Sequence, residues 1–496
     1  MFIQEMLDSA KSEPTGPLGQ LIAKQILQED IISSLDEQTE RLLSRDMDFM
    51  SYRIYKQCYK EQRDVLLDET SKNILVNTGR RTGKTNLAAR WLVKKCVQPN
   101  SPCFYYHLKF DNAIRQCFDL CIESANKAEL SIESSSKNEG VIVFSNGSSI
   151  TFRGNSNKSE ADKSRGYRAR GIVIDEAAYQ INMPYLVNDI LTPMMADFKD
   201  SQIMLISTPP RIPKTFYEDC YRSGTWTVYE WYANKNPFIP SFDNYIEELC
   251  KKKGLKKESP FIQREGYGKF VYDTEAMVFK DYQTYKDIPA DFVPTDVAIG
   301  CDYGFQDYNA IIALAYNRHT RYGYAITESK FNRSTVSEIV EQCRKIYEDA
   351  KRFCIERDRD FDLSHIRFYC DTNEQSISYE MSTNYGLPIS NCYKHDKKMA
   401  ISQLADWCRT GKIKNKEKGV LADEFERTVY KRDEQDNILT EIDDDAFHPD
   451  AVDALLYASR QYAWDCGIDS DDSAEAENTT DENDRDSTLP EWMRNR

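Results

Sequence analysis

The stretch Asn73-Ile74-Leu75-Val76-Asn77-Thr78-Gly79-Arg80-Arg81-Thr82-Gly83-Lys84-Thr85 decides the fold. Its first five residues read as a short apolar strand. Lys84 to Val97 reads as a helix, with Leu87, Ala88, Trp91, Leu92 and Cys96 on its apolar face. A strand, a glycine-containing loop and a helix start together make an anion site. Backbone N–H groups point at phosphate oxygens, and the helix dipole adds to the attraction. Lys84 reaches the β/γ-phosphates and the Thr85 hydroxyl joins a Mg²⁺ shell, while Gly79, Arg81, Thr82 and Gly83 complete the cradle. The loop departs from the usual pattern: three residues, not four, separate its glycines, and Thr78 stands where the first glycine belongs.

Working outward, Ile172-Val173-Ile174-Asp175-Glu176 is a buried strand ending in two acids. Asp175 is expected to hold Mg²⁺ through water, and Glu176 to polarise the attacking water. Ser207-Thr208-Pro209 ends the next strand, with Thr208 placed to sense the γ-phosphate. Arg80, inside the loop, and Arg165, ahead of Gly166, are two candidates for a finger that stabilises transition-state charge, Arg165 on a neighbouring subunit. Gln62 lies upstream at a distance suited to reading adenine.

The same chain holds a second set of acids. Asp302 follows the apolar run Val297 to Cys301, and Asp371 follows Ile366 to Cys370. Asp450 and Asp453 are three apart and share one face of the last helix. Clustered carboxylates repel one another unless cations neutralise them. Two divalent ions about 4 Å apart do so, and also activate water for phosphodiester hydrolysis. Hard oxygen ligands favour Mg²⁺ or Mn²⁺ over zinc. The third ligand is Asp450 or Asp453, and Asp307 is a possible support for a metal.

Bulk properties bound these readings. At 496 residues the chain has room for two to four domains, and 40% hydrophobic residues suffice for buried cores. A mean hydropathy of -0.65, the lack of an apolar run of eighteen residues and a start without the secretory pattern point away from membrane and export. Fourteen cysteines lie scattered without a CxxC pair, as expected of buried reduced thiols rather than zinc ligands. The net charge of -16 is uneven: Asp469–Arg496 holds ten acids and three bases. An acidic body still binds DNA through local basic patches.

The expected layout is an α/β chain in five parts. Residues 1–50 form an N-terminal helical segment and 51–232 a phosphate-loop domain with a mainly parallel sheet. Residues 233–290 form a connector whose lysines at 251–253, 256 and 257 read as a solvated helix face. Residues 291–465 form a second α/β domain, and 466–496 an acidic disordered tail ending in Leu489-Pro490-Glu491-Trp492-Met493. Asn146-Gly147 between two apolar runs marks a hairpin.

Seven short motifs, in order, resemble those of the large terminase subunit of tailed bacteriophages. Gly79 to Thr85 resembles its arginine-containing Walker A, Arg165-Gly166-Tyr167 with Ile172 to Ala177 its Walker B region, and Ser207-Thr208-Pro209 its coupling motif. Arg264 to Phe270 with Val278-Phe279 resembles the segment joining its two domains. Asp302-Tyr303-Gly304, Cys370-Asp371 and His448 to Ala454 are similar to its RNase H-like nuclease motifs. The resemblance implies a P-loop ATPase followed by an RNase H-like nuclease: an ATP-driven motor threading double-stranded DNA through a portal into a procapsid, and a metal-dependent endonuclease cutting the concatemer. It implies a homo-oligomeric ring, usually a pentamer, on the portal protein, and a small terminase subunit that selects DNA. It further implies action in the host cytoplasm and absence from the mature virion. The alternative is a DNA translocase whose C-terminal domain binds DNA without cutting it.

Overall fold

The computed structural model describes residues 47–180, 182–303, 308–332, 335–370, 379, 382–392, 396–433 and 437–467. Residues 1–46, Asp307, Asp371 and the tail from 468 therefore lie outside the described residues. The chain divides into two compact units, Met1–Ala276 with Arg432–Leu439, and Met277–Lys431 with Thr440–Arg496. The segment 233–290, expected to be a connector, is thus split, and residues 233–276 fold with the first unit.

Among the described residues of the first unit, the earliest elements are α1 (Met47–Lys56) and α2 (Lys60–Leu66). Strand β1 (Asn73–Thr78) runs through the phosphate loop into α3 (Lys84–Val97), as the sequence predicts. The other strands are β2 (Pro102–His107), β3 (Ile132–Ser136), β4 (Val141–Phe144), β5 (Ser149–Gly154), β6 (Gly171–Asp175), β7 (Gln202–Ser207) and β8 (Thr227–Trp231). They form one sheet in the order β3-β4-β5-β2-β6-β7-β1-β8. Six of these strands run parallel, from β5 to β8; β3 and β4 pair antiparallel at one edge. The expected hairpin joins β4 to β5, with Gly147 at φ 81°, which glycine adopts without steric cost.

Alternation along the parallel strands gives the sheet two apolar faces. Ile74, Val76, Tyr105, Val173, Met204 and Ile206 pack against Leu87, Trp91 and Leu92 of α3 and Ile54 of α1. Leu75, Phe104, Tyr106, Ile172, Ile174 and Leu205 pack against Leu186, Ile190, Leu191 and Tyr217. One strand, β7, separates β1 from β6. The loop after β1 and the acids after β6 therefore emerge at the same, C-terminal edge, where ligands of open α/β sheets bind. The unit continues through α4 (Phe242–Lys253) and α5 (Pro260–Glu265).

The second unit centres on β10 (Asp296–Asp302). It pairs antiparallel with β11 (Tyr308–Asn317), which pairs antiparallel with β12 (Tyr322–Asn332). On its other side β10 runs parallel to β13 (Ile366–Cys370), and β13 to β14 (Ile389–Asn391). Short strands β15 (Ile413–Lys416) and β9 (Thr284–Tyr285) extend the β12 edge. Three antiparallel strands followed by parallel additions on the far side of the first is the RNase H-like order.

Helix α6 (Val336–Arg357), opened by a Thr335/Glu338 capping box, covers one face of this sheet. There it meets Val297, Ile299 and Cys301. The final helix, α9 (Asp450–Asp465), covers the other face with Ala298; α7 (Lys397–Thr410) and α8 (Val420–Arg427) join it there. Gly300 explains how closely α9 approaches. A Cβ at this position would stand 1.8 Å from the Ala454 carbonyl oxygen, so only glycine admits the helix backbone. Asp302 is two residues beyond Gly300 and shares its face. Asp450 and Asp453 lie just ahead of Ala454, on the helix that Gly300 admits.

Candidate functional site

The phosphate loop of the first unit is closed on itself and braced from three sides. Thr82 Oγ1 donates to Gly79 O at 3.0 Å and meets Thr78 Oγ1 at 2.9 Å. Thr78, in place of the expected glycine, thus clamps a loop one residue shorter than usual. From beneath, Tyr59 O–H donates to Thr82 O and receives the Trp231 indole N–H at 2.8 Å. Gln62 is fully buried. Its amide nitrogen donates to Gly83 O at 2.9 Å, and its oxygen accepts from Arg90 at 2.9 Å. Gln62 was expected to read adenine; these contacts make it a support under the loop instead.

The third brace comes from the segment expected to be a connector. Gly266 and Gly268 lie against the loop so closely that a Cβ on Gly79 would stand 2.4 Å from Gly266 O. Arg80 N donates to Glu265 O at 2.6 Å, and Arg80 Nε meets Glu265 Oε2 at 2.5 Å. The Glu265 side chain is only 1% exposed. Burial pushes its carboxyl up, but Arg80 and Arg264 outweigh burial and hold it below the ordinary range. Tyr179 O–H contacts Glu265 Oε1 at 3.4 Å, Pro209 O at 3.0 Å and Thr208 Oγ1 at 3.2 Å. One hydroxyl thus joins the residues after β6, those after β7 and the 264–268 segment.

Above the loop lies a cavity of about 520 Å³ lined by Arg80 to Asn86, Glu176, Thr208 and Asn236. Lys84 is buried and donates to Gly79 O at 3.1 Å. Burial lowers its pKa; Glu176, Asp175 and Glu265 oppose the shift, as a phosphate would. Thr85 Oγ1 stands 3.2 Å from Asp175 Oδ2, so two hard oxygens meet at the helix start. Glu176 adopts φ 50°, an uncommon backbone for a non-glycine residue and one that turns its side chain into the cavity lining. Burial first, and Asp175 next, raise the Glu176 carboxyl. Arg81 also has positive φ, and its carbonyl accepts from Asn236 at 2.7 Å. Arg165 does not line this cavity; it pairs with Asp162 at 2.7 Å and donates to Tyr185 O–H at 2.8 Å.

In the second unit, Asp450 and Asp453 at the start of α9 act on the Asp302 carboxyl across the α9 face of the sheet. Burial, then Asp453, then Asp450 push the Asp302 carboxyl up to about 7. Two lysines answer this charge. Lys330 Nζ lies 2.7 Å from Asp450 Oδ2 and 2.6 Å from Glu424 Oε1, and Lys397 Nζ lies 2.8 Å from Asp453 Oδ1. Buried Glu424 also accepts the N–H groups of Ala451 and Val452 at 2.8 and 3.0 Å, capping α9 from outside. His448 Nδ1 stands 3.4 Å from Asp450 Oδ1, and this contact raises its pKa to about 9. Burial pushes Asp450 up, but His448 and Lys330 together hold it low. Among the described residues no three His, Cys, Asp or Glu side chains are grouped to hold a metal ion. Asp371 lies outside the described residues.

Sequence reasoning did not single out Tyr105, Tyr179, Asn236, Glu265, Lys330, Lys397 or Glu424. Glu265 lay within a quoted motif; the others carry no local signal, because strand register and helix packing bring them to the sites.

Residues 75–252 match the family model described as terminase large subunit, T4likevirus-type, N-terminal. No curated protein matches the chain. Among solved structures, the large terminase of a thermophilic bacteriophage, in complex with ADP, is 15% identical. The match covers 81% of this chain and 98% of that one, with a TM-score of 0.39. The HK97 bacteriophage large terminase is 14% identical over 80% and 93% of the two chains, TM-score 0.48. The nuclease domain of the bacteriophage SPP1 large terminase, with bound Mn, is 18% identical over 38% and 98%, TM-score 0.29.

Proposed function

We propose that this chain, whose residues 75–252 match the N-terminal model of terminase large subunits, is the ATP-driven motor and nuclease of viral genome packaging. The observation that carries the motor reading is the meeting of Lys84, Thr85 and Glu176 around one cavity, with Asp175 buried behind them and 3.2 Å from the Thr85 hydroxyl. Lys84 and the loop amides bind the β/γ-phosphates of ATP. Thr85 and Asp175 offer the hard oxygens that fit Mg²⁺, which when bound neutralises phosphate charge. Glu176 accepts a proton from water as that water attacks the γ-phosphorus, and the bond to the β-phosphate oxygen breaks to release ADP. Arg80 or, on a neighbouring copy, Arg165 stabilises the charge that develops. Thr208, joined through Tyr179 to Glu265, links the state of the γ-phosphate to the 264–268 segment.

The second unit is proposed to cut double-stranded DNA. Asp302, Asp371 and either Asp450 or Asp453 would hold Mg²⁺ or Mn²⁺. The raised carboxyl of Asp302 fits a site short of positive charge. The partners proposed are the portal protein, a small terminase subunit and further copies of this chain in a ring, acting in the host cell and absent from the mature virion. No helix among the described residues is long and apolar enough to cross a membrane. The lysines seated on Asp450 and Asp453 favour a second reading, a translocase whose second unit binds DNA without cutting. ATP turnover measured against a Lys84→Ala control tests the motor. Plasmid cleavage with Mn²⁺ separates the two readings of the second unit.

A further inference from the structure

We propose that Tyr105 is a positioning residue that sets Asp175 for the divalent ion of the nucleotide site. The inference rests on the ATP reading above and extends it to a residue outside every motif. Tyr105 sits on β2, in register with Val173 of β6. Side chains alternate along a strand, so Asp175, two residues past Val173, shares the Tyr105 face. A phenolic hydroxyl spans that step. Tyr105 O–H donates to Asp175 Oδ2 at 2.6 Å, and both residues are buried.

This contact falls on the oxygen that matters. Thr85 Oγ1 reaches the same Oδ2 at 3.2 Å, while Oδ1 accepts the Glu176 N–H at 2.8 Å. Both carboxylate oxygens are therefore tied, and the plane of the carboxylate is fixed. The Asp175 carbonyl is tied too, by the Gln180 amide at 2.7 Å, itself held by Asn155 at 2.9 Å. Tyr105 cannot drift, because its ring packs against Phe152 with centroids 5.6 Å apart. When the Thr85 hydroxyl turns to an ion, Tyr105 remains to hold Oδ2. A phenylalanine would fill the same core space without burying a hydroxyl. Bond donors behind a metal-binding carboxylate orient it, and losing one typically lowers metal affinity about 10–100-fold.

The test is nucleotide binding, read apart from turnover. The dissociation constant of a fluorescent ADP analogue is measured in Mg²⁺ and in EDTA. The readout is the ratio of the EDTA value to the Mg²⁺ value, for wild type, Tyr105→Phe, Asp175→Asn and the double variant. The ratio is expected to fall about tenfold or more in Tyr105→Phe with the EDTA value unchanged. Asp175→Asn falls at least as far, and the double variant no further, because the two act through one carboxylate. A wild-type ratio retained in Tyr105→Phe, or losses that multiply in the double variant, overturns the inference. So does a Tyr105→Phe chain that binds in neither condition, since that is a role in the core alone. A wild-type chain that binds nucleotide in neither condition overturns the ATP reading itself.

Discussion

Replacing Lys330 with methionine removes one cation from between two buried carboxylates. In the folded chain Lys330 Nζ lies 2.6 Å from Glu424 and 2.7 Å from Asp450, with side-chain exposures of 16%, 2% and 6%. At an effective dielectric of about 20, each contact is worth about 6 kcal/mol of attraction. Desolvation of the three ions offsets most of it, and stripping one partner from a buried ion set costs about 3–5 kcal/mol. Lys330 Nζ also stands over the Tyr308 and Phe447 rings, 4.8 and 5.6 Å from their centroids, and methionine loses these cation–π contacts together with the ion pairs, so the loss is electrostatic. A domain of 150–250 residues shifts about 2–4 °C per kcal/mol, so the transition of the second unit should drop by about 10 °C at pH 8. The penalty should shrink as pH falls. Burial already pushes Glu424 up against the pull of Lys330, and without that lysine its carboxyl takes a proton more readily. Scanning calorimetry of the full chain from pH 8 to pH 5, without metal, measures both effects. A drop under about 2 °C at pH 8, or one that grows toward pH 5, would show that Lys330 does not offset the buried charge of Glu424 and Asp450.

Glu265→Ala should lower ATP turnover about tenfold or more, by freeing a catalytic loop from its brace, and denaturant unfolding should show a loss of about 3–5 kcal/mol, because the substitution strips the buried Arg264 of the carboxylate 3.4 Å away. Asp302 makes the second unit sensitive to pH. Its carboxyl, pushed up to about 7, keeps in the folded state a proton that the unfolded chain releases near 4. Its contribution to stability therefore falls as pH rises from about 4 to 7, and Asp302→Asn should flatten that slope in EDTA melts. Binding of Mn²⁺ should release protons below pH 7 in wild type and fewer in Asp302→Asn, as titration calorimetry in two buffers would read. Gly300→Ala drives a methyl into the Ala454 carbonyl; circular dichroism and solubility should show a second unit that no longer folds, while nucleotide binding by the first unit persists.

Much of this molecule is legible in its sequence where local rules act alone. The strand, loop and helix from Asn73 to Val97, the Asn146-Gly147 hairpin and the strands ending at Asp175 and Asp302 all follow from periodicity and turn chemistry. Strands β3, β8, β9 and β15 do not, because they are short or half-exposed and lack a strong pattern. The segment 260–268 looks like a linker by composition. Its place on the phosphate loop depends on Gly79, Gly266 and Gly268 approaching backbone to backbone, which no single glycine announces. Gln62 sits at the expected distance from the loop, but spacing alone does not say which way an amide points. In the carboxylate cluster the acids stand out as strand and helix ends. Lys330, Glu424 and Lys397 come from three other elements, and only the packing of α9 against β10 reveals them.

The proposed function places two separable catalytic units in one chain. Its most direct test is Mn²⁺-dependent cleavage of plasmid DNA by Glu176→Gln protein that has lost ATP turnover. The account predicts cutting at the wild-type rate, abolished when Asp453 and Asp450 are also replaced by asparagine. Cutting that vanishes with Glu176, or that survives the loss of both aspartates, contradicts it.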